Sequence, residues 1–290
     1  MIGRVALFIA LLATPAAARN LPATFDCVRE RGGLVAAHRG GGGPSRPENV
    51  LSTARRTVTN VTPLIELDVS TTSDGVLVLF HDDELDEDSN GSGKIAQTPW
   101  RTVQRLRLKD PQGRLTRERP SRLDDTLTAL KGRAIIQLDR KRPAQWADIL
   151  AAVDRAGARD AVVPISYSTE EALEIARLAP WAMVSATIRE PSDLDVLAAG
   201  GLPQERILAW TGAGRPNPQL WAALRARGVE PIFGTLGRPE TRLDTRFAED
   251  GDLSEYRDLI AQGVDIISSS TPAAAAGAIA AQDARACLAR

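Results

Sequence analysis

The residues best suited to chemistry lie in one stretch, from Leu34 to Asp83. It contains the two histidines of the sequence, His38 and His81. It also contains two acids, Glu66 and Asp68, which alternate within an apolar run. As a strand, this run would direct both carboxylates to one face, where they can hold a hard cation. Because imidazole exchanges protons near neutral pH, the stretch predicts a metal-assisted acid–base site.

A hairpin is expected to bring one histidine to the acids. The pair Asp74-Gly75 stands between two alternating apolar runs, which is typical of a two-residue hairpin loop. Such a loop would place His81 directly across from Asp68, with Cβ atoms about 5 Å apart.

The glycine run from Gly40 to Gly43 does not predict a dinucleotide site. Ser45 occupies the position of the third glycine of that motif, and the sequence contains no Gly-Lys-Ser/Thr for a P-loop. The glycines more simply let the first loop turn or pass close to a ligand. Glu48 and Asn49, which follow, either cap the first helix or lie at the rim of the site.

The order of these motifs resembles the glycerophosphodiester phosphodiesterases. The shared elements are His38-Arg39-Gly40, Pro47-Glu48-Asn49, Glu66-Leu67-Asp68, Asp74-Gly75 and His81-Asp82. The resemblance continues through residues 133–141 and reappears at residues 263–267, so it covers nearly all of the chain after residue 18. It implies hydrolysis of a small-molecule glycerophosphodiester to glycerol 3-phosphate and an alcohol.

The resemblance also implies a metal site. Its ligands would be Glu66, Asp68 and Asp139, and the family usually has Glu at the last of these positions. An all-oxygen site favours Ca²⁺ or Mg²⁺ over zinc, so one of these two divalent cations is the expected cofactor.

Substrate binding and proton transfer fall to other residues of the same motifs. Arg39 and Lys141 would contact the phosphate oxygens, and Glu48 would lie at the substrate rim. His38 and His81 would divide the roles of acid and base, and the sequence does not say which has which role.

Two motifs at the mouth of the site depart from the family. Residues 233–237 and 269–272 stand where the family often has Trp-Thr-Val-Asn and Thr-Asp-x-Pro. The identity of the alcohol therefore stays open. Two alternatives stay open with it: a related phospholipid-cleaving phosphodiesterase and a phosphodiester-binding protein without turnover.

The first 18 residues are typical of a signal peptide. They have one charge, Arg4, then an apolar core and a small-residue cleavage site at residues 16–18. The apolar run is shorter than the ~20 residues that span a bilayer, so no stable membrane anchor is expected. We expect an exported protein, periplasmic or secreted.

The charge of the chain is balanced, with 36 basic and 37 acidic residues, so it does not indicate nucleic-acid binding. The sequence does not predict an oligomeric state.

Strands alternate with helices along the remaining chain, residues 19–290, which predicts one (β/α)8 TIM barrel. The expected strands are residues 34–37, 64–69, 134–139, 161–165, 182–188, 207–210, 230–233 and 264–267. The expected helices are residues 49–58, 122–130, 144–156, 169–178, 192–198, 218–227, 253–262 and 272–288. Residues 70–121 interrupt the pattern and are expected to form an insertion that contains the hairpin strand, residues 76–81.

The two cysteines, Cys27 and Cys287, lie near opposite ends of the mature chain. Their spacing fits no zinc motif. In an oxidising compartment they form either a disulfide or two buried, unpaired thiols. Since the segment before the first strand and the end of the last helix lie at the same face of a barrel, we predict the disulfide.

Overall fold

The computed structural model describes residues 19–280 and 283–289 and contains a closed parallel barrel. The predicted (β/α)8 fold is confirmed: the first strand pairs with both the second and the last, so that eight parallel strands close the sheet. A short ninth strand adds antiparallel to the second. The strands are β1 (Leu34–Ala37), β2 (Leu64–Thr71), β3 (Leu77–Leu79), β4 (Ile135–Arg140), β5 (Val162–Ser166), β6 (Val184–Thr187), β7 (Ile207–Ala213), β8 (Glu230–Gly234) and β9 (Ile266–Ser269).

Helices surround the barrel and bury one face each against it. In the helix from Trp146 to Ala156 the buried positions include Ile149, Leu150 and Val153, the face that a 3.6-residue period predicts. No helix of the described ranges is long and apolar enough to cross a membrane. The helices are α1 (Leu21–Arg31), α2 (Leu51–Asn60), α3 (Leu85–Asp88), α4 (Trp100–Val103), α5 (Leu123–Leu130), α6 (Trp146–Ala156), α7 (Thr169–Leu178), α8 (Ser192–Ala199), α9 (Pro218–Ala226), α10 (Leu243–Phe247), α11 (Ser254–Ala261) and α12 (Pro272–Ala278).

The prediction of one long last helix over residues 272–288 is wrong. Helix α12 ends at Ala278, and a separate 3-10 helix spans Arg285–Ala289. Between them the backbone of residue 283 bridges that of Gly33, beside β1. The alanine-rich composition favours a helix throughout, but this tertiary pairing overrides the local propensity.

The end of the barrel opposite the carboxyl ends of the strands is covered by both ends of the described chain. Phe25 and Val28 of α1 pack with Cys287 and Leu288 in one buried cluster. The predicted disulfide is confirmed: Cys27 and Cys287 are joined, with Cα atoms 5.8 Å apart. The signal peptide predicted for residues 1–18 lies outside the described residues.

The segment from residue 70 to residue 121 carries β3, α3 and α4 and forms a small apolar core, to which Val50 also contributes. Its buried members are Val50, Val78, Phe80, Leu85, Ile95, Val103 and Leu108. This core holds the chain in place immediately before and after His81.

Candidate active site

Three carboxylates meet at the carboxyl end of two neighbouring strands. Glu66 and Asp68 are two residues apart on β2, so they face the same side, and the parallel register places Asp139 of β4 beside Asp68. The three residues are 6%, 2% and 5% exposed, respectively. One carboxylate oxygen from each lies within 4.8 Å of the other two, which is close enough for one cation to contact all three.

Glu66 has an unmet need for positive charge. Its Oε2 accepts a hydrogen bond from the backbone N–H of Arg39 at 2.8 Å, while its buried Oε1 has no partner within the described residues. Burial, followed by the charges of Asp68 and Asp139, raises the pKa of Glu66 well above its usual range. A buried carboxylate without a counter-charge is costly, so the site fits a cation bound at this oxygen. Oxygen ligands alone suit Ca²⁺ or Mg²⁺.

Lys141 supplies part of the positive charge. Its Nζ lies 2.8 Å from Asp68 Oδ1 and 2.8 Å from Asp139 Oδ2. Burial acts to lower the pKa of Lys141, but the two carboxylates outweigh it and raise that pKa. Burial also acts to raise the pKa of Asp68, but the charge of Lys141 opposes it, and the pKa of Asp68 is lowered overall. The lysine thus neutralises these two acids in part and leaves Glu66 without a cation.

Arg39 is held in a strained backbone conformation, with φ of +50°. This conformation aims its N–H at Glu66, while its Nε lies 3.5 Å from Asp68 Oδ2. One terminal nitrogen donates to Glu48 Oε2 at 3.1 Å. Glu48 therefore acts on the site through Arg39.

Asn49 also locks Asp68 in place. Its Nδ2 donates to Asp68 Oδ2 at 2.7 Å, and the backbone N–H of Asp68 donates to Asn49 Oδ1 at 3.0 Å. Of the two expectations for Glu48 and Asn49, helix capping is wrong: the N-cap of α2 is Val50, and no side chain caps it. The asparagine instead orients a carboxylate.

The predicted hairpin register is wrong by one residue. Val69 pairs with Leu79 and Thr71 with Leu77, so Asp68 lies opposite Phe80 rather than His81. The loop contains three residues, 73–75, with Gly75 in the left-handed region at φ of +79°. This is the alternative hairpin in which a turn is followed by a left-handed glycine.

His81 nevertheless faces the same space as the carboxylates. Strand β3 ends at Leu79, so the side chains of residues 80 and 81 need not point to alternate faces of the sheet. His81 lines the same cavity as Asp68. Its Nδ1 lies 2.6 Å from Asp82 Oδ1. This hydrogen bond lowers the pKa of Asp82; burial acts to raise that pKa but does not outweigh the hydrogen bond.

His38 follows β1 directly, and β1 lies between β2 and β9 in the barrel. Its Nδ1 is 3.1 Å from the hydroxyl of Ser270. Burial and the neighbouring charge of Arg39 lower the pKa of His38 to about 4. The ring is therefore neutral in the free protein at neutral pH.

Tyr167 is a site residue that the sequence reading missed. Its hydroxyl donates to Asp139 Oδ2 at 2.7 Å, although the residue as a whole is 54% exposed. Tyr167 and Lys141 both donate to Asp139 Oδ2, and neither contacts Oδ1. Asp139 Oδ1 can therefore bind another ligand. The available signal was its position immediately after β5, at the carboxyl end of a barrel strand.

A cavity of about 150 Å³ collects six of the eight predicted site residues. Arg39 and Glu48 are the two that do not line it; Arg39 contacts two of the lining carboxylates, and Glu48 contacts Arg39. Apolar side chains complete the wall on the far side. The lining residues are His38, Glu66, Asp68, His81, Gln137, Asp139, Lys141, Ile165, Tyr167, Ser185, Trp210, Ile232, Leu236 and Ser268.

The fold and the site together define a class of barrel protein with an acidic cation site and two histidines at the carboxyl ends of its strands. Residues 38–197 match the model of the glycerophosphoryl diester phosphodiesterase family. The chain belongs to this family.

Individual relatives agree with this membership. A glycerophosphoryl diester phosphodiesterase structure from Parabacteroides distasonis is 30% identical, covers 89% of this chain and 90% of its own, and superposes with a TM-score of 0.77. An Oleispira antarctica phosphodiesterase in complex with the product sn-glycerol-3-phosphate shares the fold at 18% identity, with a TM-score of 0.64 over 87% of this chain and 99% of its own. Glycerophosphodiester phosphodiesterase 1 of Rattus norvegicus is 41% identical over 70 residues, which are 24% of this chain and 21% of the rat protein.

Proposed function

We propose that this protein hydrolyses glycerophosphodiesters to glycerol 3-phosphate and an alcohol, with a divalent cation as cofactor. The observation that carries the proposal is the convergence of three buried carboxylates, one with an unpartnered oxygen, beside two histidines in one cavity. Phosphodiester hydrolysis needs neutralisation of an anion and two proton transfers, and this set of groups supplies both.

The cation would be Ca²⁺ or Mg²⁺, held by Glu66, Asp68 and Asp139. When bound, it would offset the charge of the phosphate and polarise a phosphoryl oxygen. Lys141 has three N–H donors, and two of them face Asp68 and Asp139. The third can donate to a non-bridging phosphate oxygen. The guanidinium of Arg39 adds further positive charge beside Asp68.

The two histidines would divide the proton transfers. In the neutral ring of His81, an Nδ1–H that donates to Asp82 leaves Nε2 without a proton, so this ring suits the base that activates water. His38 would then give the leaving alcohol its proton. Its lowered pKa in the free protein means that the bound phosphate anion must stabilise the charged ring before it acts.

The product found in the Oleispira antarctica complex supports glycerol 3-phosphate as the product here. One observation favours the second candidate, cleavage of an intact phospholipid: the exposed aromatic ring of Tyr167 lies at the mouth of the cavity. A single exposed ring offers little area to a lipid surface, so we rank the soluble diester first.

We also propose that the protein is exported. Two features support this: the signal-peptide pattern of residues 1–18 and the disulfide between Cys27 and Cys287. Blotting of periplasmic, secreted and cytoplasmic fractions tests it, and accumulation of the uncleaved chain in the cytoplasm would contradict it.

Hydrolysis is tested with the purified protein, Mg²⁺ or Ca²⁺, and a set of glycerophosphodiesters, with glycerol 3-phosphate measured by a coupled dehydrogenase. A parallel assay with phospholipid vesicles as the substrate tests the alternative, cleavage of an intact phospholipid. The control is the His38→Ala/His81→Ala double variant from the same preparation, which should release little product. If the wild-type protein releases no more glycerol 3-phosphate than this control with any diester, the proposal is wrong.

A further inference from the structure

A groove of about 520 Å³ adjoins the catalytic cavity on one side. We call it the side groove; its lining includes Thr187, Arg189, Asn217 and Leu220 in addition to Tyr167 and Trp210. The two aromatic residues also line the cavity, so the two spaces adjoin at these rings. A phosphodiester has two arms, and an arm that leaves the small cavity past these rings enters the side groove.

The charge of the side groove comes from Arg189. No Asp or Glu is among its lining residues in the described part of the chain. Within the same ranges the guanidinium of Arg189 has no ion pair, since Asp193 accepts only from the backbone N–H groups of Arg189 and Glu190, at 2.7 and 3.2 Å. The groove therefore offers a planar cation with its donors free, which is the group that recognises carboxylates and phosphates in a bidentate manner.

The other polar groups of the side groove add a further donor. The Oδ1 atom of Asn217 already accepts from the backbone N–H of Leu220 at 3.2 Å, which leaves the Nδ2 amide as a donor. The Thr187 hydroxyl donates to the backbone carbonyl of Ser166 at 3.2 Å and retains acceptor capacity for a hydroxyl. Arg189 and Asn217 together suit an anion, and Thr187 suits a polar alcohol.

We propose that the side groove receives the alcohol arm of the substrate and that Arg189 selects alcohols that carry an anionic group, such as a carboxylate. This inference rests on the proposed function and deepens it by naming the substrate class. The aromatic rings would attract an ammonium group as well. Ethanolamine and serine carry the same ammonium group and differ by one carboxylate, so a comparison of the two isolates the effect of Arg189.

The test compares glycerophosphoserine with glycerophosphoethanolamine by kcat/KM at low ionic strength. Because Arg189 is exposed, the expected preference for the serine diester is about threefold to fivefold. Arg189→Ala should bring the ratio to about one, and Arg189→Glu should invert it. Arg215→Ala is the matched control: Arg215 follows β7, is exposed and does not line the groove, so its loss should leave the ratio unchanged.

A ratio that is the same in the wild-type protein and in both Arg189 variants would overturn the inference. A ratio that changes equally in the Arg215→Ala variant would do so too, because the effect would then be one of overall charge. If the wild-type protein hydrolyses neither diester, the dissociation constants of the two diesters for the Mg²⁺-loaded protein, measured by calorimetry, decide on the groove. The proposed function itself fails only if no glycerophosphodiester is hydrolysed. Equal dissociation constants, or no binding of either diester, would overturn the inference about the side groove.

Discussion

At the scale of single residues, the three carboxylates differ in how well they are satisfied. Asp68 has Asn49 and Lys141 as partners, and Asp139 has Lys141 and Tyr167. Glu66 has one backbone N–H on Oε2 and no partner within the described residues on Oε1. Loss of its charge should therefore weaken cation binding without breaking a network of side-chain hydrogen bonds.

The two histidines can be distinguished by the leaving group. His38→Ala and His81→Ala should each lower kcat by at least ~10²-fold on diesters of ordinary alcohols. A diester of p-nitrophenol needs no proton on its leaving oxygen, so His38→Ala should recover most of its rate on that substrate, while His81→Ala should not. Steady-state kinetics with both substrates is the measurement.

The double variant is the internal control, and it should lose less than the product of the two single losses, because residues that act as a unit are not additive. A His81→Ala protein with unimpaired turnover, or equal recovery of both single variants with the activated substrate, would contradict the assignment.

Some site residues could be predicted from the sequence, and others could not. The positions of Glu66, Asp68 and Asp139 follow from strand periodicity and the rule that barrel chemistry lies at the carboxyl ends of strands. The contacts of Asn49 and Tyr167 depend on the paths of loops, which periodicity does not encode. These contacts form because the closed barrel places those loops beside β2 and β4.

At the scale of elements, all eight barrel strands and most of the large helices could be predicted, because their apolar residues recur with a clear period. Helix α1 was missed, since its buried face includes a threonine and it begins before the alternation. The hairpin loop was the main error in the site. Asp74-Gly75 serves a two-residue and a three-residue loop equally well, and only the cross-strand pairing distinguishes them.

The three-residue loop makes a prediction about Gly75. Its φ of +79° is a left-handed conformation, and no atom lies within 4 Å of the place where a Cβ would be. Gly75→Ala should therefore lower the free energy of unfolding by about 1–2 kcal/mol through backbone strain alone. Denaturant unfolding measures it.

Gly277 in α12 is the matched control for that substitution. It also has open space where a Cβ would be, but its φ is outside the left-handed region. Gly277→Ala should leave the free energy of unfolding unchanged or raise it by up to about 1 kcal/mol. Equal effects at the two glycines would mean that the loop does not have the conformation described.

At the scale of the whole molecule, the disulfide joins the two ends of the described chain beneath the barrel. It closes a loop with a sequence separation of 260. In the chain-entropy model such a loop stabilises by about 5–6 kcal/mol, an upper figure. Thiol titration of the denatured, unreduced protein should detect no free thiol.

Removal of the crosslink is the corresponding stability experiment. The Cys27→Ser/Cys287→Ser variant should unfold at lower denaturant concentration than the oxidised protein and at about the same concentration as the reduced wild-type protein. Two titratable thiols in the untreated protein, or unchanged stability of the double variant, would contradict the role of the disulfide.

The central claim is that the three carboxylates and the two histidines form one cation-dependent hydrolytic centre. The most direct measurement is a titration of diester hydrolysis with Mg²⁺ or Ca²⁺ after treatment with a chelator, for the wild-type protein and for Glu66→Gln. Glu87→Gln, an exposed glutamate of the insertion, controls for the loss of one charge.

We predict that chelation abolishes hydrolysis, that added cation restores it, and that Glu66→Gln needs at least about tenfold more cation for half-maximal rate, while Glu87→Gln behaves as the wild-type protein does. Full turnover by the chelator-treated protein, or the same cation requirement for Glu66→Gln and the wild-type protein, would contradict the account.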